Sequence, residues 1–283
     1  MKRNLRGPLV VALIFATLSV SCVENETPPA RGTYEPAPAP VLDCMPNLDE
    51  RIEADELQAA IGIPVSYRIT PAGATTAVDL RGLVDNSGVR VWDFSFDDGR
   101  DQNLEVVAQE VSQAWYSSHF PDGEFSTLLD PDLNLDGIYS HDQRGLHFHG
   151  YASREESPSI GQTLVRYDEA VTLYPFPLQV GDQWTSSGRV RNATVQGLPY
   201  AGEDTYTSKV SASGELWLPD LRFEQVLRID TEVTINPSVG APITRRQTSF
   251  FFECFGEVAR VTSAPGEEQE NFTSAVELRR LGF

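Results

Sequence analysis

Over most of the chain after Gly62, apolar and polar positions alternate with a period of two, the pattern of strands with one buried face. In "LRIDTEVTI", Leu227, Ile229, Thr231, Val233 and Ile235 fall on one face, and Arg228, Asp230, Glu232 and Thr234 on the other. In "VRVWDFSF", Arg90, Trp92, Phe94 and Phe96 lie opposite Val89, Val91, Asp93 and Ser95. Further strands are predicted at "PVSYRIT", "TAVDLRGLV", "GLHFHGYA", "GQTLVRYD", "AVTLYPFPL", "QWTSSGRVRNATV", "EDTYTSKVSASGELWL", "ITRRQTSFFFECF", "EVARVTS" and "ENFTSAVELRRL", punctuated by Gly, Pro, Asp and Asn. One wet and one buried face per strand implies antiparallel pairing.

Two stretches read instead as helices. Glu53 to Ala60 predicts a short one, with Ile52, Leu57 and Ile61 as apolar contacts and Gly62 as its stop. Leu104 to Ser117 predicts a longer one, because Val107, Val111, Ala114, Trp115 and Ser118 line one side and Ala108 widens it. The expected fold is therefore mostly β (α+β): a large curved antiparallel sheet or half-barrel with one packed helix. No second linker or internal repeat interrupts residues 44–283, so a single domain is expected there.

The N-terminus is of another kind. Lys2, Arg3 and Arg6 precede a short apolar run, Leu9 to Leu18, and "LSVSC" follows, so residues 1–22 read as a secretory leader. Its ending resembles a bacterial lipobox, which would make Cys22 the lipidated residue and a membrane the partner of the chain's N-terminus. Ser19 stands where that motif usually has Leu, and plain secretory cleavage near Ser21 is the alternative. Val23 after Cys22 departs from the inner-membrane retention signal, which makes the outer membrane the expected destination. Residues 23–43 are Pro-rich and poor in large apolar groups, the composition of an extended tether.

The formal charge is −19, and removing Lys2, Arg3 and Arg6 with the leader takes it to −22. So acidic a chain is poorly suited to nucleic acid or anionic lipid. Cys44 and Cys254 remain in the domain, where an exported compartment permits a disulfide; two buried thiols are the other reading.

The stretch "DPDLNLDGIYSHD" carries the clearest candidate chemistry. Asp132, Asn134 and Asp136 alternate before Gly137, as in the opening of a calcium loop, and possible calcium binding rests on them. The twelfth position falls on neutral Gln143, and the flanks "FSTLL" and "LHFHGYA" read as strands. A half-buried strand running into an Asp-Gly turn explains the same residues. A fainter loop-like pattern puts Asn47, Asp49 and Glu56 at the third, fifth and twelfth positions, running into the first helix. His147 and His149 share a strand face near His141, a spacing that suits a transition metal or a plain wet surface. No nucleophile elbow, zinc-protease motif or phosphate loop is present in the sequence.

Pro177, Leu178, Gly181 and Trp184 in "PLQVGDQW", with Gly256 and Val258 in "FFECFGEVARVTS" and the closing "SAVELRRLGF", carry a resemblance to uncharacterised bacterial lipoproteins. It spans residues 137–283 and implies a curved β-sheet, of the half-barrel kind found in lipoprotein carriers and other periplasmic lipid-binding proteins. It implies no catalytic residues. The expected function is a non-enzymatic envelope lipoprotein whose β-rich domain has a binding or structural role, with a protein or small apolar molecule as ligand. A calcium-stabilised surface or adhesion protein and a hydrolase with an unrecognised site are the alternatives. The strand aromatics Trp92, Phe94, Trp184, Tyr206, Trp217, Phe250 and Phe252 suit a packed core or an apolar cleft, and the filling of the concave face decides between them.

Overall fold

The computed structural model describes residues 44–282. The leader, Cys22 and the Pro-rich stretch 23–43 lie outside the described residues. The strands in chain order are β1 (Arg51–Ile52), β2 (Pro64–Ile69), β3 (Thr76–Ala77), β4 (Leu83–Val84), β5 (Arg90–Asp93), β6 (Gln102–Val107), β7 (Gln109–Glu110), β8 (Phe125–Asp130) and β9 (Leu135–Asp142). They continue as β10 (Gly145–Ser153), β11 (Leu164–Pro175), β12 (Leu178–Gln179), β13 (Gln183–Val195), β14 (Leu198–Trp217), β15 (Arg222–Pro237), β16 (Ile243–Phe252), β17 (Gly256–Ser263) and β18 (Ser274–Leu281).

All but β1 and β12 belong to one sheet, whose main path runs β6-β2-β18-β17-β16-β15-β14-β13-β11-β10-β9-β8-β7. β6 and β7 stand at opposite ends of that path, yet only Ala108 separates them in sequence. The segment 102–110 thus pairs with β2 on one side and β8 on the other. The sheet comes nearly full circle and forms the large antiparallel half-barrel that the alternation predicted. Bulges in the long β14–β15 pair, at Val210/Ala212 and Gly214/Leu216, bend it.

Neither predicted helix forms: among the described residues, helix is limited to 3-10 turns. Where Leu104–Ser117 was expected to be helical, Leu104 and Val106 pair with Tyr67 and Val65. The chain then passes through turns at Val111–Gln113 and Ser117–His119. β-branched valines suit the pleated closing strand. The residues buried beyond it, Val111, Tyr116 and Phe120, pack with Ile138 and Ala152 and are not spaced as one helical stripe.

Around Glu53–Ala60 only Ala54–Glu56 turns, between β1 and a chain held by tertiary contacts. β1 pairs with β12, and Cys44 is bonded to Cys254 with their Cα atoms 5.6 Å apart. Glu253 accepts the N–H groups of Asn47 and Leu48 at 2.6 and 2.8 Å, and the Cys254 N–H donates to the Glu56 carbonyl. Anchors this dense outweigh the marginal stability of a two-turn helix.

The outer face of the barrel is not uniformly wet, as the alternation had suggested. Residues 71–101 lie over part of it, where Leu80, Trp92 and Phe94 pack on Leu216, Val226, Phe250 and Val261. Arg228 and Asp230, expected to face water, are buried beneath this layer. Arg228 donates to Asp230 at 2.8 Å, to the Leu80 carbonyl and to Asn271.

Candidate functional site

The inward residues of three neighbouring strands follow from their register. Val210, Ser208, Tyr206 and Asp204 of β14 stand opposite Ile229, Thr231, Val233 and Ile235 of β15. These in turn stand opposite Ser249, Gln247, Arg245 and Ile243 of β16. At one end the barrel is packed solid. Val210, Leu227, Ile229 and Phe251 meet Ile52, Tyr174 and Leu178, so the disulfide-anchored N-terminal segment helps to plug it.

Toward the other end the walls stand apart and enclose a cavity of about 570 Å³. Its lining includes Ala72, Asp132, Leu133, Ile243 and Arg245, all exposed and set at turns or strand ends, so the cavity opens there. The volume falls within the roughly 300–1,000 Å³ usual for small-molecule sites.

The walls differ in chemistry. One is aromatic: Tyr139 and Phe148 stack with ring centroids 5.1 Å apart, and Tyr206 meets Phe148 edge-on. Burial pushes the Tyr139 hydroxyl up to about 12, so these phenols are neutral at physiological pH. The other wall is polar, with Gln247, Thr262, Arg260 and Glu277. Arg260 lies 2.8 Å from Glu257, which also accepts from Ser249. Burial opposes the Arg260 charge, but Glu257 and Glu277 more than offset it and raise its pKa.

Asp204 is the most unusual group at the cavity. It is 3 % exposed, and its Oδ2 accepts from the Tyr167 hydroxyl at 2.7 Å. Among the described residues its Oδ1 has no hydrogen-bond partner, and neither has the nearby Tyr200 hydroxyl. No cation pairs with Asp204 among the described residues. Burial raises its carboxyl pKa, which the Tyr167 bond only partly opposes. Gly188 of β13 lies opposite Asp204, and a Cβ there would meet the Tyr167 ring at 2.5 Å. That glycine makes the space in which Tyr167 reaches Asp204.

The residues singled out in the sequence are distributed as follows. Asp132 and Asn134 sit in the β8–β9 turn, and Asp132 lines the cavity. Asp136 lies inside β9 and is buried, with one oxygen bonded to Tyr116 at 2.9 Å and the other 3.1 Å from Arg154. The expected Asp-Gly turn is thus strand, and the real turn comes just before it. Gly137 is required there because a Cβ would strike the Tyr139 hydroxyl at 2.4 Å. Asn47 and Glu56 do meet, at 3.0 Å, but the contact is the asparagine amide donating to the carboxylate. Among the described residues no three His, Cys, Asp or Glu side chains are grouped to hold a metal.

His147 bonds to Asp142 and Thr172, and His149 to Ser140. His141 pairs with Leu146, whereas His147 pairs with Ser140 on the next rung. His141 therefore faces away from the other two. Of the strand aromatics, Trp92, Phe94 and Phe250 are core and Tyr206 lines the cavity. Sequence reasoning missed Asp204, Tyr151, Tyr167 and Arg260. Their only signal was a lone charge within an otherwise apolar or hydroxylated inward row.

Comparison with protein-family models, with curated proteins and with solved structures finds no match to this chain. Among the described residues no helix is long and apolar enough to cross a membrane.

Proposed function

We propose that this chain is a non-enzymatic binding protein of the cell envelope, tethered to the outer membrane through lipid on Cys22, that holds a small ligand in the barrel lumen. The open-ended cavity of about 570 Å³ is the observation that carries this reading. A purely structural barrel of this size has every reason to fill its interior, because each unfilled volume forfeits packing contacts. Here the filling is confined to one end, where Phe251, Leu227 and Leu178 meet. A second depression, of about 460 Å³, includes Lys209, Glu270, Arg246 and Glu232. Its charges pair with one another, Lys209 with Glu270 and Arg246 with Glu232, which favours the lumen over it.

Titration with the apolar fluorophore 1-N-phenylnaphthylamine tests the lumen. The wild-type domain should bind one equivalent, and Val233→Trp, which puts an indole into the cavity, should weaken binding at least about tenfold. Equal binding by the variant would refute a lumenal site.

A further inference from the structure

The proposed lumen site rests on volume; its charges say what kind of ligand it would take. Its lining includes the carboxylates Asp130, Asp132, Asp204 and Glu277 against the guanidiniums Arg245 and Arg260. Arg260 is already beside Glu257 at 2.8 Å. The cavity is therefore net acidic, and so is the molecule around it, a field that concentrates cations and repels anions.

Within that field Asp204 is singular. The fold has placed a carboxylate at 3 % exposure, given one oxygen a tyrosine hydroxyl, and left the other without a partner among the described residues. A buried carboxylate lacking a counter-charge is costly, and a cation beside it removes the cost. The groups around it are aromatic: Tyr151 and Tyr206 line the cavity with it, and Tyr167 bonds to both Asp204 and Tyr206. Phenol rings about a carboxylate suit a cation carrying carbon substituents. Their faces attract positive charge, and their edges pack against alkyl groups. Among the described residues Asp204 belongs to no group of three or more His, Cys, Asp or Glu side chains that could hold a metal, and calcium takes about six to eight oxygen ligands.

We propose that the lumen binds a small organic cation, an amine or quaternary ammonium compound, with its charge against Asp204 and its apolar body along Tyr151, Tyr206 and Phe148. The inference builds on the lumenal reading above and narrows it to one ligand class. The register supports the placement. Asp204 shares the rung of Ile235 and Ile243, the last of which lies at the open end. A cationic head held there leaves its substituents pointing down the cavity.

Calorimetric titration of the wild-type domain with three probes of equal chain length tests the inference: hexyltrimethylammonium, hexanol and hexanoate. The ammonium should bind at least about tenfold more tightly than the alcohol, and hexanoate most weakly. Asp204→Asn, which keeps an acceptor for Tyr167, should remove most of the preference for the ammonium over hexanol. If hexanol and hexanoate bind as well as the ammonium, or the preference survives in Asp204→Asn, the cation assignment fails and the lumenal site stands. If none of the three nor the fluorophore binds, the lumenal site fails as well.

Discussion

Asp204 makes its own prediction apart from any ligand. Its folded pKa is raised by burial, so the folded state holds that proton more tightly than the unfolded chain, where the group titrates near about 3.9. Its contribution to stability is complete below about pH 4 and is lost as the pH rises through the folded value. The groups facing it, Tyr151, Tyr167, Tyr200 and Tyr206, are themselves neutral phenols in this range, their pKa values raised by burial. Asp204→Asn cannot ionise and should melt above the wild type at pH 7, with the gap closing near about pH 4. Scanning calorimetry across that range checks this, and a less stable variant at pH 7 would contradict it. Asp136 is held differently: burial raises its pKa too, but Tyr116 and Arg154 both counter it. None of this was visible in the sequence, where Asp204 read as one polar position within a strand and Asp136 as part of a calcium-loop pattern or an Asp-Gly turn.

Among the elements, the segment 71–101 owes its place to a charge the alternation would have put in water. Arg280 of β18 is fully buried. It donates to the carbonyls of Phe94 and Phe96 at 2.6 and 2.7 Å, pairs with Asp101, and lies over the Phe96 ring. Arg280→Met should cost about 3–5 kcal/mol in urea unfolding, because it leaves Asp101 buried without its partner. The double variant Arg280→Met/Asp101→Asn should recover part of that loss. A cost below about 1 kcal/mol would show the pair to be dispensable. The strand boundaries themselves were legible: "QWTSSGRVRNATV" and the core of "FEQVLRIDTEVTIN" are strands at nearly the predicted limits. The segment Leu104–Ser117 was misread because its valines fit a helical stripe by spacing and a strand by shape, and the tertiary pairing with β2 decided for the strand.

For the whole molecule, the anchor and the barrel make separable claims. Cys22→Ala should shift the protein from the membrane to the soluble fraction of expressing cells without altering fluorophore binding by the domain. Continued membrane retention would contradict lipidation at that residue. The sequence by itself determined that the domain is antiparallel β, where most strands lie, and that the chain is strongly acidic. These follow from local periodicity and composition, which survive whatever the chain packs against. Tertiary structure alone decided that the sheet closes through residues 102–110, that Arg228, Asp230 and Arg280 are buried, and that the lumen is filled at one end and hollow at the other. A period of two says which residues share a face. It does not say how far apart the opposite walls of a curved sheet will stand, and that distance makes the site.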